Sequence, residues 1–189
     1  ILFKSNNRER LLELLLSESF RYSAEGLFQL TSGKKTSYYI DCKKVSLNPE
    51  GATLIGHEIF DRIKTLPVEG VGGMTLGADP IATAVSVISF LEKHPIPAFI
   101  VRKAPKPHGS KRQIEGNLQE GAKVVVVEDV VTTGGSTLRT LEALEKAGHP
   151  VLKVIALVDR KEGGREEILR TGVSFESIFT IDDFTRHIV

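Results

Sequence analysis

The sequence has no tryptophan, one cysteine and one methionine, and only 6% of its 189 residues are aromatic. So few aromatic side chains leave little for a platform on which single-stranded bases would stack. The one thiol, Cys42, cannot form an intrachain disulfide, and it excludes a zinc site built mainly on cysteines. It reads as a small buried residue, and this thiol usage points to a cytoplasmic protein. No apolar run approaches the ~18 residues a membrane span requires, and residues 1–7 carry no secretory pattern, so no membrane partner is expected. Net charge is almost missing as well: 25 Lys and Arg stand against 24 Asp and Glu, leaving +1. That balance argues against a dedicated nucleic-acid binder.

What is present is patterned. Asn6 or Asn7 can cap a first helix whose Leu11, Leu12, Leu14, Leu15 and Leu16 spread over more than one face. Residues 27–30 and 38–40 flank a polar turn over 31–36 and predict a β-hairpin. Asn48 and Pro49 supply a cap and a proline at the first helical position, and Ala52, Ile55, Ile59 and Ile63 then mark one helix face. From Gly70 onward, short β-branched runs alternate with helical segments. Strands are predicted over 68–72, 98–101, 124–127 and 151–158, and helices over 81–92 and 136–147, with Gly148 in the stop position. Such alternation implies an α/β fold with a parallel sheet covered on both faces, because parallel strands need crossover connections. The expected organisation is a single domain, 1–189, with a core of about 46–180 under a small N-terminal helix-and-hairpin hood of about 1–45.

Residues 124–137 carry the most chemistry. Val124, Val125, Val126 and Val127 form a strand; Glu128 and Asp129 follow; then Val130, Val131, Thr132, Thr133, Gly134, Gly135, Ser136 and Thr137 lead into a helix. Ligands of open α/β sheets bind beyond the carboxyl ends of the strands. A glycine turn at a helix N-terminus offers free N–H groups and the positive end of a dipole, which suits a phosphate. Thr132, Thr133, Ser136 and Thr137 can add hydroxyl donors. Two carboxylates would repel that phosphate, so they should meet hydroxyls, a cation or developing positive charge. A sugar phosphate satisfies both demands. The turn lacks the Gly-Lys-Ser/Thr ending of a Walker loop, and 72–77 lacks dinucleotide-fingerprint spacing. A tight strand-to-helix turn beside a solvated acid pair remains the plainer alternative.

The charge balance conceals a local excess. Between Arg102 and Arg112 lie Lys103, Lys106, His108 and Lys111, with two prolines, a glycine and no acid. Prolines and glycine there rule out a helix or central strand. Without these five cations the chain holds 20 basic residues against 24 acidic ones, so a +5 loop sits on a −4 body. A movable cationic loop beside an anion site can draw in a polyanion and close over it. A solvated loop or a nucleic-acid contact is the alternative.

Residues 124–137 match the phosphoribosyl-pyrophosphate motif of the type I phosphoribosyltransferases, and the chain as a whole resembles the orotate phosphoribosyltransferases. The resemblance runs in order through Phe28-Gln29-Leu30-Thr31-Ser32-Gly33, Ser37-Tyr38-Tyr39-Ile40-Asp41, residues 72–82, residues 102–116 and Asp159-Arg160. It implies the type I fold, a central mostly parallel sheet flanked by helices beneath the hood. It also implies a pentosyltransferase of de novo pyrimidine (UMP) biosynthesis, passing phosphoribosyl from 5-phospho-α-D-ribose 1-diphosphate (PRPP) to orotate. By the same resemblance PRPP meets Thr31, Thr75, Leu76, Arg102, Lys103, Lys106, His108, Glu128, Asp129 and residues 130–136. Those last are Val130, Val131, Thr132, Thr133, Gly134, Gly135 and Ser136. Orotate meets Tyr39, Ile40, Thr132 and Arg160, and catalysis falls to Lys106, His108 and Asp129. Magnesium is implied on PRPP without direct protein ligands, as is a homodimer with the basic loop acting across its interface. The chain departs from some members that carry Lys at the place of Thr31 and a Tyr-Lys pair at Thr75-Leu76. Rival readings are transfer to a purine or another pyrimidine, and a non-catalytic regulator that binds nucleic acid through the basic loop.

Overall fold

Leucines dominate the first helix, α1 (Asn7–Leu14), and its continuation into a π-helical turn, Leu15–Ser19. Leu11 and Leu15 are fully buried, and Leu12, Leu14 and Leu16 pack partly buried against the same cluster. Asn6 precedes the helix, but its side chain makes no capping bond. The computed structural model describes residues 6–25, 28–29, 35–104 and 113–188.

Four short strands follow: β1 (Phe20–Tyr22), β2 (Phe28–Gln29), β3 (Lys35–Thr36) and β4 (Tyr38–Ile40). The expected hairpin is corrected here. Antiparallel partners are β2 with β3 and β4 with β1, so Tyr38–Ile40 returns to Phe20–Tyr22 rather than to residues 27–30. Burial accounts for the choice, because the Phe20–Ile40 pair puts two apolar side chains into the core together.

Next come α2 (Lys43–Ser46) and α3 (Pro49–Ile63). Asn48 Oδ1 accepts the N–H groups of Glu50 and Gly51 at 2.9 and 3.2 Å, and Ile55, Ile59 and Ile63 form the buried stripe, as the spacing predicts. The remaining elements are β5 (Gly70–Met74), α4 (Ala78–Leu91), β6 (Ala98–Val101), β7 (Ile114–Gly116), β8 (Val124–Val131), α5 (Gly135–Lys146), β9 (Val151–Asp159), α6 (Gly164–Arg170), β10 (Ser174–Thr180) and α7 (Ile181–Thr185). Helix α4 starts before the expected Ile81 because Pro80 fits within a first turn, where its missing N–H costs nothing. Strand β8 outruns the expected Val127 because Val130 and Val131 keep pairing with Val158 and Asp159 of β9.

The six-stranded sheet has the order β10-β9-β8-β5-β6-β7, all parallel except β7, which runs antiparallel to β6. Alternation along β8 divides the core. Val125 and Val127 join the cluster holding Ile55, Ile59, Ile81 and Val85 of α3 and α4, while Val124 and Val126 join Leu141, Leu144 and Ile168 of α5 and α6. The hood shares the first cluster through Leu11, Phe20 and Ile40. Cys42 is fully buried, and burial, helped by the Asp129 charge, pushes its thiol well above the usual range. No helix among the described residues is long and apolar enough to cross a membrane.

Candidate active site

The last residues of β8, the turn over 132–134 and the first turn of α5 form the centre of the site. Glu128 and Asp129 lie inside the strand, so their side chains leave opposite faces of the sheet. Glu128 turns toward α5 and is 5% exposed. Its Oε2 accepts the Ser136 and Thr137 hydroxyls at 2.9 and 3.1 Å. Burial first, and then the nearby Asp129 charge, push its carboxyl up to about 7 against the lowering effect of those hydroxyls. Two hydroxyls expected to face a phosphate are thus directed at Glu128, and Thr137 is completely buried. The reason is proximity: α5 begins directly behind the strand, and a buried carboxyl takes the nearest donors.

Asp129 turns the other way, with 16% of its side chain exposed. Its Oδ1 accepts the Val130 N–H at 2.9 Å, and its Oδ2 lies 3.7 Å from Lys43 Nζ. Gly77 backs it, since a Cβ there would stand 2.4 Å from Asp129 Oδ1.

The turn itself is fixed by main-chain bonds. Gly134 caps α5 with φ 81°, the left-handed region that favours glycine. A Cβ at Gly134 would meet the backbone of Gly164 at 3.1 Å, whereas one at Gly135 would meet only Arg139 Nη1, at 3.7 Å. Thr132 O accepts the Gly164 N–H at 2.9 Å, and Val131 O accepts the Arg160 N–H at 2.9 Å. Thr132 is half-buried and Thr133 exposed.

Arg160 therefore stands beside the turn, at the end of β9. It is 6% exposed, its guanidinium carbon lies 4.7 Å from the Tyr38 ring centre, and its Nη2 lies 2.9 Å from Glu162 Oε1. Its Nε is buried with no hydrogen-bond partner. Of the two hood residues expected at the base, Tyr39 is exposed and stacks on Phe28 at 6.0 Å, but the Ile40 side chain belongs to the core, leaving only its backbone available. Tyr38, under Arg160, is a neighbour of the candidate site that the sequence did not single out; its alternation with Tyr39 was the available signal.

Gly72 and Gly73 are strand residues rather than loop residues. Both lie within β5, where a Cβ would stand 2.1 Å from Phe99 O and 2.2 Å from Val127 O. They serve close strand packing, and the loop starts only at Thr75. Thr75 donates its hydroxyl to Asp79 Oδ2 at 2.7 Å, and Leu76 is 65% exposed. A cleft of about 620 Å³ is lined, among the described residues, by Thr75, Asp79, Arg102, Lys103 and Glu115.

Arg102 leaves β6 and Gln113 precedes β7. The two are clasped by Arg102 N–H to Gln113 O at 2.8 Å and Gln113 Nε2 to Arg102 O at 3.0 Å. The residues on either side of the basic segment are thus antiparallel partners, a pairing unseen in the sequence because β7 is short and contains Glu115. Thr31, Lys106 and His108 lie outside the described residues.

An acid pair near the end of a central parallel strand, followed by a glycine turn at a helix N-terminus, fits a phosphoribosyltransferase, and residues 80–185 match the phosphoribosyl transferase domain family. The orotate phosphoribosyltransferase of Aquifex aeolicus is 46% identical over 176 residues, covering 93% of this chain and 96% of that protein. A crystal structure of the Mycobacterium tuberculosis orotate phosphoribosyltransferase with Fe(III) dicitrate superposes with a TM-score of 0.80 at 36% identity, covering 94% and 98% of the two chains. Another from the same organism, in complex with PRPP, gives 0.75 at 31% identity, covering 96% and 93%. The chain belongs to the orotate phosphoribosyltransferases.

Proposed function

We propose that this chain transfers the phosphoribosyl group of PRPP to orotate, releasing pyrophosphate and forming orotidine 5′-phosphate for pyrimidine (UMP) synthesis. Arg160 carries the choice of substrate. A buried guanidinium with an unpartnered Nε beside the glycine turn calls for an anionic ligand, and orotate's carboxylate suits its planar fork. A neutral purine or uracil offers no such group.

In this reading the free N–H groups of the turn over 132–136 hold the 5-phosphate, with the Thr133 hydroxyl and the Arg139 charge beside them. Asp129 accepts from the ribose hydroxyls, while Glu128 braces the turn through Ser136 and Thr137. Tyr39, the Ile40 backbone and Thr132 flank the base. Thr75, Arg102 and Lys103 border the cleft for the diphosphate, with Leu76 next to Thr75 in the chain. Lys106, His108 and Thr31 join them by family resemblance.

As the bond from ribose to diphosphate breaks, negative charge gathers on the leaving group and positive charge on the ribose. Cations on the leaving group are therefore worth more in the transition state than in the ground state. Lys106 has this role, and His108 adds charge or a proton. Orotate supplies its own nucleophilic nitrogen and needs no strong base. Magnesium neutralises diphosphate charge when bound. By the family resemblance, the ion would be held mainly by the diphosphate oxygens, since magnesium needs few protein ligands.

Two further features support a homodimer; that its subunits are single domains, each with hood and core as outlined above, and cytoplasmic remains the reading of the sequence. Leu47, Leu76, Val87, Phe90 and Leu91 are all more than half exposed, and a cleft of about 530 Å³ lies among Leu47, Leu76 and Val87. Asp79 lines both that apolar cleft and the diphosphate cleft, so a second copy seated on the apolar face would lie beside the site.

The test is a turnover assay with PRPP, magnesium and, in parallel, orotate, uracil, hypoxanthine and adenine. Orotate absorbance should fall only when PRPP is present. Consumption of a purine, or salt-sensitive nucleic-acid binding without turnover, would overturn the reading.

A further inference from the structure

Lys43 has no part in the mechanism above, yet it stands between the hood and the acid pair. It opens α2 two residues after Asp41, which itself follows β4. Its Nζ lies 2.9 Å from Asp41 Oδ1 and 3.7 Å from Asp129 Oδ2, and its backbone N–H donates to Asp41 Oδ1 at 3.3 Å. Asp41 thus grips both ends of the lysine. Burial works against the Lys43 charge, but the Asp41 hydrogen bond and the charges of Asp129 and Asp41 outweigh it and raise its pKa. The side chain is 40% exposed, so it sits at the mouth of the site rather than in the core.

Asp129 is confined on its remaining sides. One oxygen is bound to its neighbour's N–H, and the backbone of Gly77 closes off the space behind it. Its other oxygen has Lys43 as its charged neighbour.

We infer that Lys43 is a positioning residue for Asp129: it aims Oδ2 toward the ribose of the donor and, through Asp41, ties that aim to the strand flanking the base. The inference rests on the reading of Asp129 as the ribose acceptor. A carboxylate that must take ribose hydroxyls works best in one orientation, and a fixed cation at its edge supplies that. Asp41 makes the lysine a rigid lever instead of a free surface charge.

The test measures PRPP affinity by titration calorimetry with magnesium present, which needs no turnover. Lys43→Met should weaken PRPP binding about three- to tenfold, the scale of one partly screened ion pair. Orotate KM should change less than about twofold, and Lys43→Arg should restore most of the loss. In an Asp129→Asn background, Lys43→Met should cost less than about twofold more, because its route of action is already gone. Full additivity of the two substitutions, or an equal effect on orotate, overturns the inference while leaving the proposed function intact. Absence of PRPP affinity in the unaltered chain would overturn the proposed function, and this inference with it. Thermal melts of each variant separate these outcomes from unfolding.

Discussion

The guanidinium of Arg160 lies 4.7 Å from the centre of the Tyr38 ring, joining the end of β9 to the hood strand β4. A desolvated cation over an aromatic face is held without spending its N–H donors, so Nε stays available. Arg160→Ala should raise orotate KM by roughly 10- to 100-fold, the range for charge-assisted hydrogen bonds, and Arg160→Lys should recover little because it lacks the fork. Tyr38→Phe should be nearly silent, whereas Tyr38→Ala should raise orotate KM and leave PRPP KM almost unchanged. Steady-state kinetics with each substrate varied in turn checks all four.

Glu128 gives a pH signature. Its carboxyl is raised to about 7 from 4.5, so between those values the folded chain keeps a proton that the unfolded chain has released. Its contribution is thus lost as pH rises through that window, on the order of 3 kcal/mol once above it. Glu128→Gln, which can still accept the Ser136 and Thr137 hydroxyls, should gain stability relative to the parent at pH 8 but not at pH 4.5. Denaturant midpoints at the two pH values measure the difference.

Two glycines separate fold from function. Gly73→Ala would force a Cβ to 2.2 Å from Val127 O and 2.7 Å from the Ala78 Cβ, so loss of soluble protein or of several kcal/mol is expected. Gly77→Ala instead displaces a side chain, Asp129. It should keep its Tm within a few degrees and lose at least about tenfold in kcat/KM. Melting curves and kinetics on the same preparations compare them.

The apolar face predicts an oligomer that charge would break. Phe90→Lys together with Val87→Glu should shift the light-scattering mass from dimer to monomer and lower activity. Mixing Lys106→Ala with Asp129→Asn should restore part of the activity that each alone lacks, because a shared site would combine one intact half from each chain.

The sequence made legible whatever local periodicity dictates. The isoleucine stripe of α3, its Asn48 cap and the valine run of β8 stand where expected. Pairing partners were less legible: β4 returns to β1, and β7 pairs antiparallel with β6, because a two- or three-residue strand carries almost no alternation of its own. Side-chain direction was least legible. Nothing local shows that Glu128 takes the hydroxyls of α5 while Asp129 meets Lys43, since both follow from which helix covers each face.

The Val131 and Thr132 carbonyls receive the N–H groups of Arg160 and Gly164, and on the proposed assignment of the site they would act as a fixed ruler between the two substrates. The span from the turn over 132–134 to Arg160 is measured out in main chain, which no ordinary substitution can lengthen. A descendant of this scaffold could change which base it accepts by replacing the side chain at 160, but it would inherit the same reach.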